Sequence, residues 1–200
     1  MARIRVIFEK NGWFTFINHQ DMPVIFSRAA RRAGLSQELT QGFSRRPRLS
    51  LGPPLAIGVI GLNEPADFWI NNWMESSAEI WNSKLPQGLK ILKCAEVDGS
   101  SLAKLATAAV YKLRGAGKEL DKDALSVLEE EVRRTGELFG SALDGGEITL
   151  KIGDLEHCGA GNLVRALTSR GVINGWRDVL LVRKTVGTIE RESGEILQLL

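Results

Sequence analysis

The alternation of hydrophobic and polar positions predicts a strand at the start of the chain. Arg3–Phe8 alternates charged and apolar side chains, as a half-buried strand does. Asn11 and Gly12 then separate this run from the β-rich segment Trp13–Ile17. An Asn-Gly pair between two such runs favours a β-hairpin, because both central residues of a type I′ turn need a positive φ. We therefore expect an N-terminal hairpin.

A helix follows the hairpin. Asp21 is suited to the N-cap, and Pro23 fits the first turn, where no backbone N–H is needed. An apolar stripe predicts the buried face, and Gly34 is the expected C-terminal stop. The stripe consists of Ile25, Ala29, Ala30 and Ala33. Three arginines share another face at the spacing i, i+3, i+4; they are Arg28, Arg31 and Arg32.

The remaining pattern has the rhythm of the split βαβ, or ferredoxin-like, arrangement. In the first half we expect strands at 48–51, 66–73 and 89–97, with a helix opened by a capping box from Ser76 to Glu79. In the second half we expect strands at 106–113, 147–152 and 178–186, and helices at 121–136 and 162–170. The sequence thus predicts an α+β protein with tandem ferredoxin-like lobes, the second abbreviated, at residues 1–99 and 100–200.

Composition narrows the class of protein without giving a function. The chain has 200 residues, of which 44% are hydrophobic and 25% charged, as in ordinary globular proteins. No apolar run approaches the ~20 residues of a membrane span, so we expect no membrane partner. Two cysteines, Cys94 and Cys158, exclude a disulfide framework or a four-cysteine metal site within the chain. We expect a cytoplasmic protein without a metal site of its own.

Basic residues are concentrated near the amino end. Residues 1–57 hold nine Lys and Arg against three Asp and Glu, whereas residues 58–200 hold seventeen against twenty-one. Between Arg28 and Arg48 lie six arginines, no lysine and one acid, Glu38. Guanidinium groups suit planar, bidentate or stacked contacts. The pattern favours an anionic ligand or partner, and a solvated surface is the alternative.

The loop-rich segment 41–58 carries further candidate contacts. If the anionic partner is RNA, Phe43 is a candidate for stacking on a nucleotide base, and Gln41 or His19 is a candidate for hydrogen bonding to the edge of a base. The candidate substrate- or anion-binding residues are Asp21, Arg28, Arg31, Arg32, Gln41, Phe43, Ser44, Arg45, Arg46, Arg48 and Ser50.

His19 is the candidate catalytic residue. It lies where the N-terminal segment passes into the helix, two residues before Asp21. A histidine there is suited to general-base chemistry or phosphate binding, and a hydrogen-bonded capping histidine is the structural alternative. The sequence has no HExxH, CxxC, Walker A or GxSxG motif. It leaves catalysis open.

Three segments carry a resemblance to a known family. They are Phe-Ile-Asn-His-Gln-Asp at 16–21, Arg-x-x-Arg-Arg-Ala-Gly-Leu at 28–35, and Gln-Gly-Phe-Ser-Arg-Arg-Pro-Arg-Leu-Ser-Leu-Gly-Pro-Pro-Leu-Ala-Ile-Gly at 41–58. Together they resemble the radical-SAM-linked proteins, a bacterial family also known as a domain of unknown function. Arg183–Gly187 faintly resembles that family's C-terminal Arg-Thr-Gly. Asn18, Thr40 and Ser44-Arg45 depart from the Ser, Ser and Asn-Pro usual at those positions.

The resemblance implies a companion protein rather than a known enzyme. Members look like partners of a radical SAM, B12-binding-type protein, encoded beside it or fused to it. The iron–sulfur cluster, S-adenosylmethionine and cobalamin would then belong to the partner, with no cofactor in this chain. The family's own activity is unassigned.

Three hypotheses of function follow. The first is a non-catalytic subunit that binds RNA, or another anionic substrate or partner, for a radical SAM enzyme. The second is a metal-independent RNA endonuclease or transferase that uses His19 as a base and the arginines to stabilise a phosphorane. The third is a protein–protein adaptor whose arginines meet an acidic patch.

Overall fold

The computed structural model describes residues 1–190 and 192–200 as a mixed α+β protein whose strands join one sheet. In these residues the strands are β1 (Ala2–Lys10), β2 (Leu49–Leu51), β3 (Ile60–Ile70), β4 (Leu89–Glu96), β5 (Ala108–Gly115), β6 (Glu137–Asp144), β7 (Glu147–Gly153), β8 (Val179–Glu190) and β9 (Glu195–Gln198). The helices are α1 (Met22–Arg32), α2 (Ser77–Asn82), α3 (Leu102–Leu105), α4 (Lys122–Thr135) and α5 (Ala160–Ser169). Over the same ranges, no helix combines the length and apolarity of a membrane span.

Both lobes have the βαββαβ order of the ferredoxin-like arrangement, which confirms the predicted fold class. In the first lobe the strands lie in the order β4-β1-β3-β2, and in the second in the order β8-β5-β7-β6. Every pairing inside a lobe is antiparallel. The strands predicted at 89–97, 106–113, 147–152 and 178–186 are present with shifted ends.

The second lobe is complete rather than abbreviated. The hydrophobic pattern does not predict β6, because the side chains of this strand are mostly exposed or half-buried and show no alternation. Tertiary pairing places it instead: β6 pairs with β7 across a tight turn at Gly145 and Gly146, whose φ values are +52° and +75°. Such positive φ values are typical of a two-residue hairpin turn.

The expected N-terminal hairpin is wrong. Residues Gly12–Phe16 form a 3₁₀ turn instead of a second strand. The reason is that β1 pairs with β3 on one side and with β4 on the other, with Lys10 opposite both Gly61 and Leu89. A central strand has no free edge for a hairpin partner.

Helix α1 begins and ends as predicted, although its caps differ. Asp21 occupies the N-cap position but its side chain makes no capping hydrogen bond; Asn18 caps the preceding turn by accepting from the Gln20 N–H at 3.1 Å. Gly34, with φ +77°, follows the last turn. The buried face consists of Met22, Phe26, Ala29 and Ala30. Likewise, Ser76 makes no capping bond to α2, so the predicted capping box is absent there.

The two lobes meet along strand β3. Its carboxyl-terminal half pairs with β2, and its first residues pair in parallel with β8, Ile60 opposite Val182 and Gly61 opposite Arg183. Each lobe also has an apolar core, and Phe26, Phe68 and Trp81 form the centre of the first. Leu55 and Val59 from the first half are buried in the core of the second lobe. The division at residues 99 and 100 stays a prediction about domain organisation.

Candidate functional site

A groove with a volume of about 800 Å³ lies between α1 and the segment 35–49. We call it the arginine groove. Its lining is partly aliphatic, from Val24, Leu35, Leu39 and Leu49, and partly cationic. The arginine groove is lined by Gln20, Pro23, Val24, Ser27, Arg28, Arg31, Leu35, Gln37, Leu39, Thr40, Arg46, Pro47 and Leu49. Its volume falls in the range of ligand-binding clefts, about 300–1,000 Å³.

Hydrogen bonds hold the segment 35–49, which forms the outer wall of the groove, in place. Thr40 donates its N–H to the Arg46 carbonyl at 2.7 Å, and its hydroxyl accepts from the Arg46 N–H at 3.1 Å. Gln37 forms an antiparallel bridge to Ile70 at the end of β3. The wall is therefore a small extension of the first-lobe sheet, and residues 41–45 form its tip.

Three of the six predicted arginines, Arg28, Arg31 and Arg46, line this groove. Arg28 and Arg31 come from α1 and Arg46 comes from the opposite wall. The ion pairs found among residues 1–190 and 192–200 involve none of these three. Their positive charge is therefore available to a ligand.

The structure does not bring the other three arginines into the groove lining. Arg32 donates to the Lys84 carbonyl at 2.6 Å, which ties α1 to the loop after α2. Arg48 pairs with the Glu38 carboxylate at 2.9 Å and lies over the Trp69 ring, 4.2 Å from its centroid. Arg45 is exposed at the loop tip. The groove lining thus contains three of the six arginines of the candidate docking face.

The remaining candidates surround the groove without lining it. Gln41, Phe43 and Ser44 are exposed at the tip, and the Phe43 ring is fully exposed to solvent. Ser50 is half-buried in β2, opposite Asp67 of β3. Asp21 is exposed at the start of α1. Phe43 is the member of this group whose position suits contact with an extended ligand.

A second cluster of polar side chains is buried where the lobes meet. We call Lys10, Glu64, Tyr111 and Arg183 the junction cluster. Arg183 donates from Nε to Glu64 Oε1 at 2.9 Å and from a terminal nitrogen to Oε2 at 2.5 Å. It also donates to the Tyr111 hydroxyl at 3.3 Å. The cluster joins β3 of the first lobe to β5 and β8 of the second.

The two prolines of the predicted loop complete this cluster. Arg183 donates to the Pro53 carbonyl at 2.8 Å and to the Pro54 carbonyl at 3.0 Å. Proline itself has no N–H to donate, so this loop presents acceptors to the guanidinium. The two prolines of the 41–58 motif therefore contact Arg183, which lies in the segment that resembles a C-terminal Arg-Thr-Gly.

Burial and charge perturb the groups in and beside the junction cluster. Burial lowers the pKa of the Lys10 ammonium; Glu64 opposes this effect and Arg183 adds to it. Burial likewise lowers the pKa of His19, and the Arg183 cation lowers it further. Burial opposes the charge of Arg183, yet Glu64 and Tyr111 together raise its pKa above the ordinary value. The neutral form of His19 is favoured here.

His19 lies beside the junction cluster and not in the arginine groove. It lines a small cavity of about 10 Å³ together with Lys10, Pro53 and Glu64. A cavity of that size holds about one water molecule. RNA cleavage with His19 as base and the arginines around the phosphorane needs these groups together, and this geometry does not support it. Within the two described ranges, no group of three His, Cys, Asp or Glu side chains is arranged to hold a metal ion.

Sequence reasoning missed most of the junction cluster. Glu64 lies between Asn63 and Pro65, and this polar, proline-containing stretch is not typical of a strand. The predicted strand therefore begins only at 66, although β3 begins at Ile60. Gly61 offers a signal in retrospect: a Cβ there would lie 2.7 Å from the Glu64 Cγ. Lys10 is almost fully buried, with 2% of its surface exposed, although a lysine at the end of a strand is expected to be exposed.

Comparison with known proteins gives a family and little else. No curated protein matches the chain. Among solved structures it is similar to the ligand-free regulatory subunit of aspartate kinase from Thermus thermophilus, with 13% identity, 84% of this chain and 90% of that chain covered, and a TM-score of 0.28. Likeness at this level bears on neither ligand nor activity.

A family model matches residues 3–139, described as an uncharacterised protein conserved in bacteria, DUF2344. The match contains all of the arginine groove and three of the four junction residues, with Arg183 beyond its end. Because it spans more than half of the 200 residues, the chain belongs to the bacterial family DUF2344.

Proposed function

We propose that this protein binds single-stranded RNA through the arginine groove, as a non-catalytic companion of a radical SAM enzyme. The observation that carries the RNA part is the groove itself, where three arginines that form no ion pair in the described residues share the lining with aliphatic side chains. Phosphates suit the cations, and an unstacked base suits the apolar surface.

The radical SAM part rests on the sequence motifs. The segments at 16–21, 28–35 and 41–58 resemble the radical-SAM-linked proteins, and all three contribute residues to the lining of the groove. On this proposal the partner carries the iron–sulfur cluster, S-adenosylmethionine and cobalamin, and this chain presents the substrate. Capture with nuclease-treated lysate tests the partnership: the retained protein should carry the visible absorbance of an iron–sulfur cluster. A colourless eluate would contradict the partnership and leave the RNA part standing.

Salt-dependent affinity tests the RNA part. Each neutralised phosphate of a single strand contributes about −0.7 to the slope of log K against log salt. Replacing Arg28, Arg31 and Arg46 with glutamine should therefore weaken binding and make the slope shallower by about 2. The measurement is a fluorescence anisotropy titration of labelled single-stranded RNA over a series of salt concentrations.

The second lobe offers a control with the same change of charge. Arg114, Arg165 and Arg177 are exposed there and lie outside the groove. Their triple replacement with glutamine should leave both affinity and slope unchanged. Equal losses in the two triple variants would indicate attraction by net charge alone, and absence of binding to the natural protein would refute the proposal.

A further inference from the structure

Two residues that line the arginine groove each carry a buried side-chain atom that lacks a hydrogen-bond partner within the part of the chain that the structure describes. The two atoms are the Ser27 hydroxyl oxygen and the Gln37 side-chain nitrogen. Both residues line the groove, Ser27 from α1 and Gln37 from the opposite wall. A buried polar group without a partner costs about 1–3 kcal/mol. A folded chain that keeps two of them in one cleft has retained hydrogen-bonding capacity for something that enters it.

Backbone pairing holds the main chain at Gln37 in place on the wall opposite α1. Gln37 bridges to Ile70, and the next residue, Glu38, donates its N–H to the Trp69 carbonyl at 2.9 Å. The amide group offers a donor and an acceptor side by side, and exchanging its oxygen and nitrogen preserves that pair. An amide edge of this kind pairs bidentately with a base edge that offers one acceptor and one donor.

The aliphatic part of the groove lining suits the body of a base. Val24 and Leu39 line the same groove with 49% and 48% of their surfaces exposed, a large exposure for aliphatic side chains. Aliphatic side chains, a hydrogen-bonding amide and cationic side chains in one lining together fit a flat heterocycle that carries a phosphate. We infer that the groove takes one unstacked nucleotide, whose base lies against the aliphatic side chains and is read by Gln37 and Ser27 once these side chains turn toward it, while the arginines bind its phosphate.

This inference rests on the proposed RNA binding and adds base recognition to it. The probes are single-stranded homopolymers of A, C, G and U of equal length, the four mononucleotides, and inorganic polyphosphate, which has charge but no base. The natural protein should bind one homopolymer about tenfold more tightly than polyphosphate of the same charge, a difference of about 1.4 kcal/mol. Gln37→Leu and Ser27→Ala should each weaken that preferred binding about three- to tenfold and leave polyphosphate binding unchanged.

The stability of the Ser27 variant distinguishes a ligand-binding role of this residue from a purely structural one. Because Ser27→Ala removes a buried hydroxyl that has no partner in the described residues, its urea midpoint should equal or exceed that of the natural protein while its RNA affinity falls. Gln87→Leu, at an exposed glutamine in the loop before β4, is the matched control and should change neither quantity. A lower midpoint for Ser27→Ala with unchanged RNA affinity would overturn the inference.

The outcomes separate failure of the inference from failure of the proposed function. Equal affinity for all homopolymers and for polyphosphate, with the usual salt slope, would overturn base recognition and leave anion binding intact. No binding to any polymer, with selective binding of one mononucleotide, would overturn the RNA proposal and support the base site as a site for a free nucleotide. No binding to any probe would overturn both.

Discussion

Replacing Arg183 with methionine removes a buried cation that both lobes share. The guanidinium makes five hydrogen bonds, to two carboxylate oxygens of Glu64, the Tyr111 hydroxyl and the carbonyls of Pro53 and Pro54. Arg183 and Glu64 are only 1% and 3% exposed, so water cannot replace these bonds without a rearrangement. Methionine has a similar length and no charge, and therefore leaves the Glu64 carboxylate buried beside unpaired carbonyls.

The expected loss of stability follows from this geometry. Removing one partner of a buried ion pair costs about 3–5 kcal/mol. With a urea dependence of about 2 kcal/mol per molar, the unfolding midpoint should fall by about 2 M. A domain has about 5–15 kcal/mol of stability in total, so the variant should still fold with a reduced margin. Urea unfolding followed by tryptophan fluorescence and far-UV circular dichroism measures the change.

Two further variants test the reasoning. Replacing Glu64 with leucine in the same chain removes the stranded carboxylate, so Arg183→Met with Glu64→Leu should be more stable than Arg183→Met alone. Arg177→Met changes an exposed arginine in the same lobe and should shift the free energy of unfolding by less than about 0.5 kcal/mol. A cost below about 1 kcal/mol for Arg183→Met, or a double variant weaker than the single one, would refute a coupled buried pair.

Three other predictions concern separate parts of the chain. Because the folded state lowers the pKa of His19 below 6.5, the contribution of His19 to stability is complete above pH 6.5 and is lost as the pH falls below that value. The urea midpoint of His19→Gln should therefore decline less than that of the natural protein between about pH 8 and about pH 5.5. Equal declines of the two midpoints would contradict this prediction. A Cβ at Gly187 would overlap the Leu197 carbonyl oxygen, so Gly187→Ala should detach β9 and speed amide exchange at Ile196 and Leu197, with unchanged exchange as the negative result. Phe43→Ala removes a fully exposed ring and should leave the free energy of unfolding within about 0.5 kcal/mol; if the ring stacks on RNA, affinity falls by an amount equivalent to about 1–3 kcal/mol, and unchanged affinity would remove Phe43 from the interface.

Local signals account for the parts of the fold that the sequence predicts well. Pro23 and Gly34 bound α1 because their backbone preferences act within one turn. The i, i+3 spacing likewise predicts that Arg28 and Arg31 share a face of that helix, and both line the groove. Arg46 joins them because the 35–49 segment folds back through the Thr40 and Arg46 hydrogen bonds.

Long-range contacts account for what the sequence could not give. Glu64 and Arg183 are separated by 119 positions, and the pattern of residues around one of them does not predict that it pairs with the other. The Lys84 carbonyl takes Arg32 out of the candidate face in the same way, through a contact between α1 and a distant loop. Strand β6 also depends on its neighbour β7 rather than on a pattern of its own.

Strand β3 has a practical consequence for anyone who dissects this protein. One edge of that strand serves two neighbours in turn, β2 along its far end and β8 at Ile60 and Gly61. A fragment ending near residue 99 would leave those amides open and would expose Leu55 and Val59, which the second lobe covers. Uncovered strand edges and apolar side chains promote association between copies. We therefore expect residues 1–200 expressed together to aggregate less than the fragment.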